Sequence, residues 1–284
     1  MHWQNKNELA APDIWAYVRA HWMRMAFIPI ASLAAGLALI VVSEPIYRSE
    51  AVLAPVGDEE AGMTLGKLPG QVGNLASLVG IPLPTGSPAA THVATLRSKA
   101  LLAQFIQDEN LVPELFADDW DEGSHGWLVE EPPTLEDAVM RMDEDVRTVF
   151  EDKESGIVVL RVEWRDRQRA AAWAQEIADR ANAALRSAAI AEAKSSMEYL
   201  QRELQKTNVV ELQNAIFRLM ESQTQKIMIA NVRPEYAFRI VDPPRVPEDD
   251  EHVWPNAPLI VSISLLVGVS LVFMLAAASA RPRS

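Results

Sequence analysis

The sequence predicts an α+β domain with a long Ala-rich α-helix and a small mixed sheet, anchored by two transmembrane helices. Three observations carry that expectation. Apolar runs stand near both ends of the 284-residue chain, and some 41 residues from Asp166 contain neither glycine nor proline. Short stretches on either side of that region alternate apolar and polar residues, the period of a half-buried strand.

From Leu259 to Ala280, LIVSISLLVGVSLVFMLAAASA is uncharged over 22 residues. That is about 33 Å of helix, enough to cross the hydrocarbon layer. The earlier run, Ala26 to Ser43, has 18 residues, or about 27 Å, near the lower limit for a span. Its alternative reading is a cleavable signal peptide, since Arg19 and Arg24 precede it. The run is long for that role and no A-x-A-like site precedes Glu44, so a retained anchor is favoured. Arg19, Arg24, Arg281 and Arg283 flank the short ends, which the positive-inside rule places in the cytoplasm. The chain then divides into a cytoplasmic amphipathic segment (1–25), span 1 (26–43), an external α+β domain (44–242), a proline-rich membrane-entry segment (243–258), span 2 (259–280) and a cytoplasmic tail (281–284). In the first of these, Trp15, Tyr17 and Trp22 suit headgroup-level anchoring.

Residues 44–258 hold 21 basic against 37 acidic side chains, a net charge of −16. Such a surface repels nucleic acid, which is excluded as a partner. The chain has no cysteine, so packing and oligomerisation must hold the external part.

Taken in order, YRSEAVLAPV (47–56) is β-capable but weakly patterned. Residues 57–90 are rich in glycine and proline and read as loop with one short helix near Leu75 to Val79. Over 91–116, Val93, Leu96, Leu101, Phe105 and Ile106 have approximate helical spacing, with Pro113 limiting the helix. A further helix opens at Thr134, whose capping box is approximate because Asp137 is shorter than the preferred glutamate. Val146, Thr148 and Phe150, then Val158, Leu160, Val162 and Trp164, alternate as an antiparallel pair of strands. Tyr236, Phe238 and Ile240 form a third strand, expected to return the chain beside residues 47–56.

Between these strands the Gly- and Pro-free stretch would make a helix of about 60 Å. Twelve of the 24 residues from Ala170 to Ala193 are alanine. Trp173, Ile177, Ala181 and Leu185 mark one face of that helix. The Asn and adjacent valines of TNVVELQ (207–213) have low helix propensity and suggest a bend or hairpin, after which helical spacing resumes as far as Asn231. Two readings stand: a helical hairpin on its own core, or a helix lining a subunit interface.

A search for chemistry returns mostly negatives. The five histidines are scattered with no zinc-ligand spacing, and the chain has no phosphate loop and no nucleophile elbow. DDWDEGSHGWLVE (118–130) misplaces the glycine of a calcium loop and reads instead as a solvated acidic turn over Trp120. No catalytic, metal or cofactor residue is assigned, and enzyme is the less favoured class. A receptor would need an output module after the second span, where only RPRS follows.

A resemblance becomes specific at this point. The segments YRSEAVLAP, ATLRSKALLAQFIQDENLVPELF, AAAWAQEIADRANAALR and EYLQRELQKTNVVELQNAIFRLMESQTQKIMIANVRPEYAFRIVDPPRVPE, set between two spans, resemble the Wzz chain-length determinants, the polysaccharide co-polymerases. The match covers most of the chain in order; residues 57–90 and 118–125 depart from it. It implies a periplasmic domain on the bacterial inner membrane, a homo-oligomeric ring, and control of the length of a lipid-linked glycan made by a Wzy-type polymerase. Some relatives carry a tyrosine kinase after the second span; here such a kinase would be a separate partner. EHVWPNAPL replaces the family's usual basic residue beside the last proline.

Other features accord with that role. Ser32 with Gly36 and Ser264 with Gly268 are small residues four apart, which permit close helix approach within the membrane lipid. Trp173, Ile177, Ala181 and Leu185 are candidates for a subunit-interface helix. Pro243, Pro244, Pro247, Pro255 and Pro258 restrict φ, and the segment they stiffen is a candidate coupling element, with mere linker as its alternative. Two rival functions remain, a passive adaptor for polysaccharide export and a membrane-anchored glycan enzyme.

Overall fold

The structure, a computed structural model, describes residues 22–56 and 88–279. Most of the amphipathic segment expected at 1–25, the short helix expected at Leu75 to Val79 and the tail at 281–284 lie outside the described residues.

In chain order the elements are α1 (Trp22–Val42), β1 (Ile46–Pro55), α2 (Pro88–Leu96), α3 (Lys99–Asp108) and α4 (Val112–Leu115). The two-residue strands β2 (Trp120–Asp121) and β3 (Gly126–Trp127), then α5 (Leu135–Arg141), β4 (Arg147–Glu151) and β5 (Val158–Trp164), come next. The long helix α6 (Arg167–Lys206), α7 (Val210–Val232), β6 (Phe238–Asp242), β7 (His252–Trp254) and α8 (Ala257–Ser279) complete the chain. They form two compact units, one from Tyr47 to Glu248 and one combining the chain up to Ile46 with that from Asp249.

In the larger unit four strands lie in the order β4-β5-β1-β6, each neighbouring pair antiparallel. The mixed sheet expected from sequence is therefore corrected to an antiparallel one. The turn at 152–157 is too short for the crossover that parallel neighbours require. Asp152 organises it, accepting from the Glu154 N–H at 3.0 Å and the Ser155 hydroxyl at 2.6 Å, and Gly156 supplies a φ of 71°. β1 lies inside the sheet, with Ala51 opposite Leu160 and Leu53 opposite Val158. Its weak sequence pattern follows from small Ser49 and Ala51 at two of its buried positions.

The core forms where one face of the sheet meets α3 and the first turns of α6. Trp173 stands against Trp164, ring centroids 5.0 Å apart, and edge-on to Phe105 at 6.4 Å. Leu102, Ile106, Met142, Leu160 and Ile177 are fully buried around them. Asp166 starts α6 as its N-cap, accepting from the N–H groups of Gln168 at 2.7 Å and Arg169 at 2.9 Å.

Two local expectations are sharpened. The capping box of α5 is complete: Thr134 Oγ1 accepts from Asp137 N–H at 3.2 Å, and Asp137 Oδ2 accepts from Thr134 N–H at 2.9 Å. The single helix expected from residue 91 is instead α2 and α3, broken at Arg97 and Ser98. Arg147, buried, holds that break: Nη1 donates to Leu96 O at 2.7 Å, and Nη2 to Arg97 O at 3.1 Å and to Asp143. These bonds satisfy carbonyls that end a helix without an onward partner.

Candidate functional site

The smaller unit contains a pair of apolar helices. Only α8, over Ala257–Leu275, is long and apolar enough among the described residues to cross a membrane. The apolar part of α1, Phe27–Val42, is shorter, about 24 Å by its rise. Ser32 Oγ donates to Ser264 O on α8 at 2.6 Å. A Cβ at Gly36 would lie 2.2 Å from Ser264 Oγ, and one at Gly268 would lie 2.7 Å from Pro29 Cα. Glycine is thus a steric requirement at 268, where a side chain would meet backbone, and at 36 a side chain would displace the Ser264 hydroxyl; the four small residues singled out from sequence lie at a single contact between α1 and α8. Larger side chains, among them Phe27, Val41, Leu266, Phe273 and Met274, are exposed away from that contact.

The proline segment is less uniform than its composition suggests. Pro243, Pro244 and Pro247 follow β6 in a stretch without regular secondary structure. That stretch is tied to the larger unit, where Ser49 Oγ donates to Arg245 O at 2.8 Å and Arg167 Nη1 to Pro247 O at 3.5 Å. Pro255 is buried and follows Trp254 through a cis peptide bond. Pro258 belongs to the first turn of α8, which begins two residues before the expected boundary. A first-turn proline costs nothing there, because its missing N–H would have had no helical partner. Asn256 precedes the helix and accepts from Leu259 N–H at 3.2 Å.

Beyond its packed first half, α6 pairs with α7 as a helical hairpin turned at Thr207 to Val209. Buried Ala193, Ile216 and Ala230 and half-buried Met197, Leu200, Leu204, Met220 and Ile227 recur at spacings of three, four and seven residues. Lys226 pairs with Glu192 across the two helices at 3.4 Å. Ser195, Ser196, Tyr199, Leu200, Leu219 and Gln223 line a groove of about 450 Å³ along the hairpin.

The interface expected at Trp173, Ile177, Ala181 and Leu185 is corrected. Trp173, Ile177 and Ala181 are buried within the unit's own core and Leu185 packs against it, so that face is occupied. Sequence periodicity identifies a covered face without saying what covers it.

One residue of the same helix was not singled out. Asn182, buried, donates through Nδ2 to Phe238 O at 2.9 Å and accepts at Oδ1 from the N–H groups of Ala237 and Phe238 at 3.0 and 2.8 Å. Its signal was a lone carboxamide on the apolar face of an alanine-rich helix, where a polar group must find partners.

The acidic turn satisfies itself. Asp121 accepts from Gly123 N–H at 3.0 Å and from the Ser124 hydroxyl at 2.6 Å, and the latter bond first holds its pKa below the usual range. Trp120 meets Trp127 edge-on at 4.9 Å beneath it. Glu114 shifts the other way, raised by burial against the opposing pull of Arg169, 3.1 Å away.

No family model matches the chain, and no curated protein does. Among solved structures it is similar to a full-length bacterial polysaccharide co-polymerase, at 12% identity and a TM-score of 0.41, over 97% of this chain and 100% of that one.

Proposed function

We propose that this chain is an inner-membrane polysaccharide co-polymerase that sets the chain length of a lipid-linked surface polysaccharide, such as O-antigen, capsule or exopolysaccharide, made by a Wzy-type polymerase. In this reading its termini are cytoplasmic, its larger unit is periplasmic, and copies of the chain assemble into a ring. It is not itself an enzyme; it acts by contact with the polymerase and the growing glycan, with or without a separate tyrosine kinase.

The observation that carries the reading is the arrangement along the chain. Two apolar helices pair tightly in one unit, and the described residues of Tyr47–Glu248 fold as an α+β unit with a helix of 40 residues. The segments that resemble chain-length determinants lie in the larger unit and follow that same order. The prolines 243, 244, 247, 255 and 258 retain the proposed coupling role, now divided between the two units.

Deleting the gene and resolving the surface polysaccharide by electrophoresis tests this. Loss of a modal length with polymer still present is expected. Complete loss of surface polymer would favour an export adaptor, and an altered repeat unit would favour an enzyme.

A further inference from the structure

A groove of about 510 Å³ opens beside residues 118–125, where the chain departs from the family it resembles. Its volume lies in the range of small-molecule sites. Asp119 and Val129 reach it from the two sides of the β2–β3 hairpin, which the Leu128 N–H ties by donating to Asp119 O at 2.9 Å. Met140 and Arg141 come from α5, and Glu144 and Asp145 from the turn that leads to β4. The Arg141 guanidinium lies over the Phe116 ring, 4.9 Å from its centre. Among the described residues it forms no ion pair or hydrogen bond, although carboxylates line the same groove. Asp137 is committed to Thr134 by its capping box, whereas the side chains of Asp119, Glu131, Glu144 and Asp145 make no such bond. A planar donor and four uncommitted acceptors thus share one groove without satisfying each other, and exposed Val129 and Met140 add apolar surface.

Those groups select a ligand class. An ionised carboxylate only accepts and a guanidinium only donates, so a molecule that satisfies both needs groups that do both. A sugar hydroxyl does so, and the C–H face of a sugar ring suits the apolar surface. Five carboxylates against one guanidinium repel an anionic sugar. A cationic peptide segment would meet Arg141 at the Phe116 ring and leave its fork of donors without an acceptor.

We propose that this groove binds a neutral saccharide, with Arg141 donating to its oxygens and Glu131, Glu144 and Asp145 accepting from its hydroxyls. The inference rests on the glycan contact in the proposed function. It gives that contact a site and restricts the glycan to uncharged sugars.

The probe is the surface polysaccharide of the cell that makes the chain, released by mild acid and sized to two or three repeat units. It is titrated calorimetrically into the full chain in detergent. Wild type is expected to bind it with little dependence on salt, because no ligand charge is neutralised. Arg141→Met keeps an apolar cover on Phe116 and removes the donors; Glu144→Gln with Asp145→Asn removes two acceptor charges at exposed positions. Each is expected to weaken binding about tenfold, the loss of a hydrogen bond to a charged group. Circular dichroism confirms retained helix, and Glu192→Gln on the hairpin should bind as wild type does. Absence of binding, unchanged affinity in both groove variants, or a repeat unit that carries a carboxylate or phosphate would overturn the inference. Heptalysine binding more tightly than the oligosaccharide would also overturn it and assign the groove to a cationic segment. If the oligosaccharide does not bind while gene deletion still abolishes the modal length, the groove assignment fails and the proposed function stands. If wild type binds, R141M does not, and deletion leaves the length distribution unchanged, the groove stands and length control fails.

Discussion

The Asn182 carboxamide donates to the Phe238 carbonyl and accepts from the Phe238 N–H, closing a two-way bond between the long helix and the start of β6. The neighbouring Ala237 N–H adds a third bond. The side chain thus stands where a strand's hydrogen bonds would otherwise be needed. It fixes where the chain re-enters the sheet after the hairpin.

Replacing Asn182 with Leu strands two buried N–H groups and a carbonyl, each costing about 1–3 kcal/mol when unsatisfied. We expect N182L to lower the stability of the larger unit by about 3 kcal/mol. Urea unfolding followed through Trp164 and Trp173 fluorescence measures it. A loss near zero would show that the clamp is dispensable.

Arg147 offers a parallel case at the α2–α3 break. Burial lowers its pKa, with Asp143 opposing the shift, and its planar head serves two backbone carbonyls and Asp143 together. Lysine cannot reproduce that fork. R147K is expected to destabilise nearly as much as R147M, by about 3 kcal/mol; full rescue by lysine in the same unfolding assay would contradict the fork geometry.

The pH profile has opposing contributions. Asp137 and Asp152 are held below the usual carboxylate range by the hydroxyls of Thr134 and Ser155. Their stabilisation is present above the unfolded Asp value of about 4 and is lost as pH falls through the lower folded value. Glu114 is raised by burial. Its favourable neutral form contributes below the unfolded value, and that contribution disappears as pH rises through the folded one. D137N should flatten the acid side of a thermal-midpoint profile, and E114Q should raise the midpoint more at pH 7 than at pH 4.

β5 was legible because it buries alternate residues from Val158 to Trp164, a pattern that sequence displays directly; in β4 the expected face is corrected, since Thr148 and Phe150 are exposed and Arg147 is buried in their place. α6 was legible because neither glycine nor proline interrupts it from Asp166, the residue that caps it. The break between α2 and α3 was not, since Arg147, which holds it, lies about 50 residues away. Trp173 and Ile177 show the same limit: a helix face covered by the chain's own α3 and β5 reads identically to one covered by another subunit. Ser32, Gly36, Ser264 and Gly268 were visible as small residues, but the serine bond and the approach of Gly268 to Pro29 required both helices together.

That helix pair predicts a cross-link within one chain. A Cβ at position 36 would lie 3.0 Å from Ser264 Cβ, about 0.5 Å short of disulfide range and within reach of a small separation of the helices, and the chain has no other cysteine to compete. Gly36→Cys with Ser264→Cys should form a bond under mild oxidation in membranes, joining the two fragments after proteolysis between the spans. Bonds found only between chains would place these faces at an intermolecular contact instead.

Length control is tested most directly by reconstitution. A Wzy-type polymerase from the same cell, supplied with its lipid-linked repeat unit in proteoliposomes, would be run with and without this chain and the products sized by electrophoresis. The proposed function predicts a broad distribution without the chain and a narrow modal one with it. The same broad distribution in both reactions would contradict it.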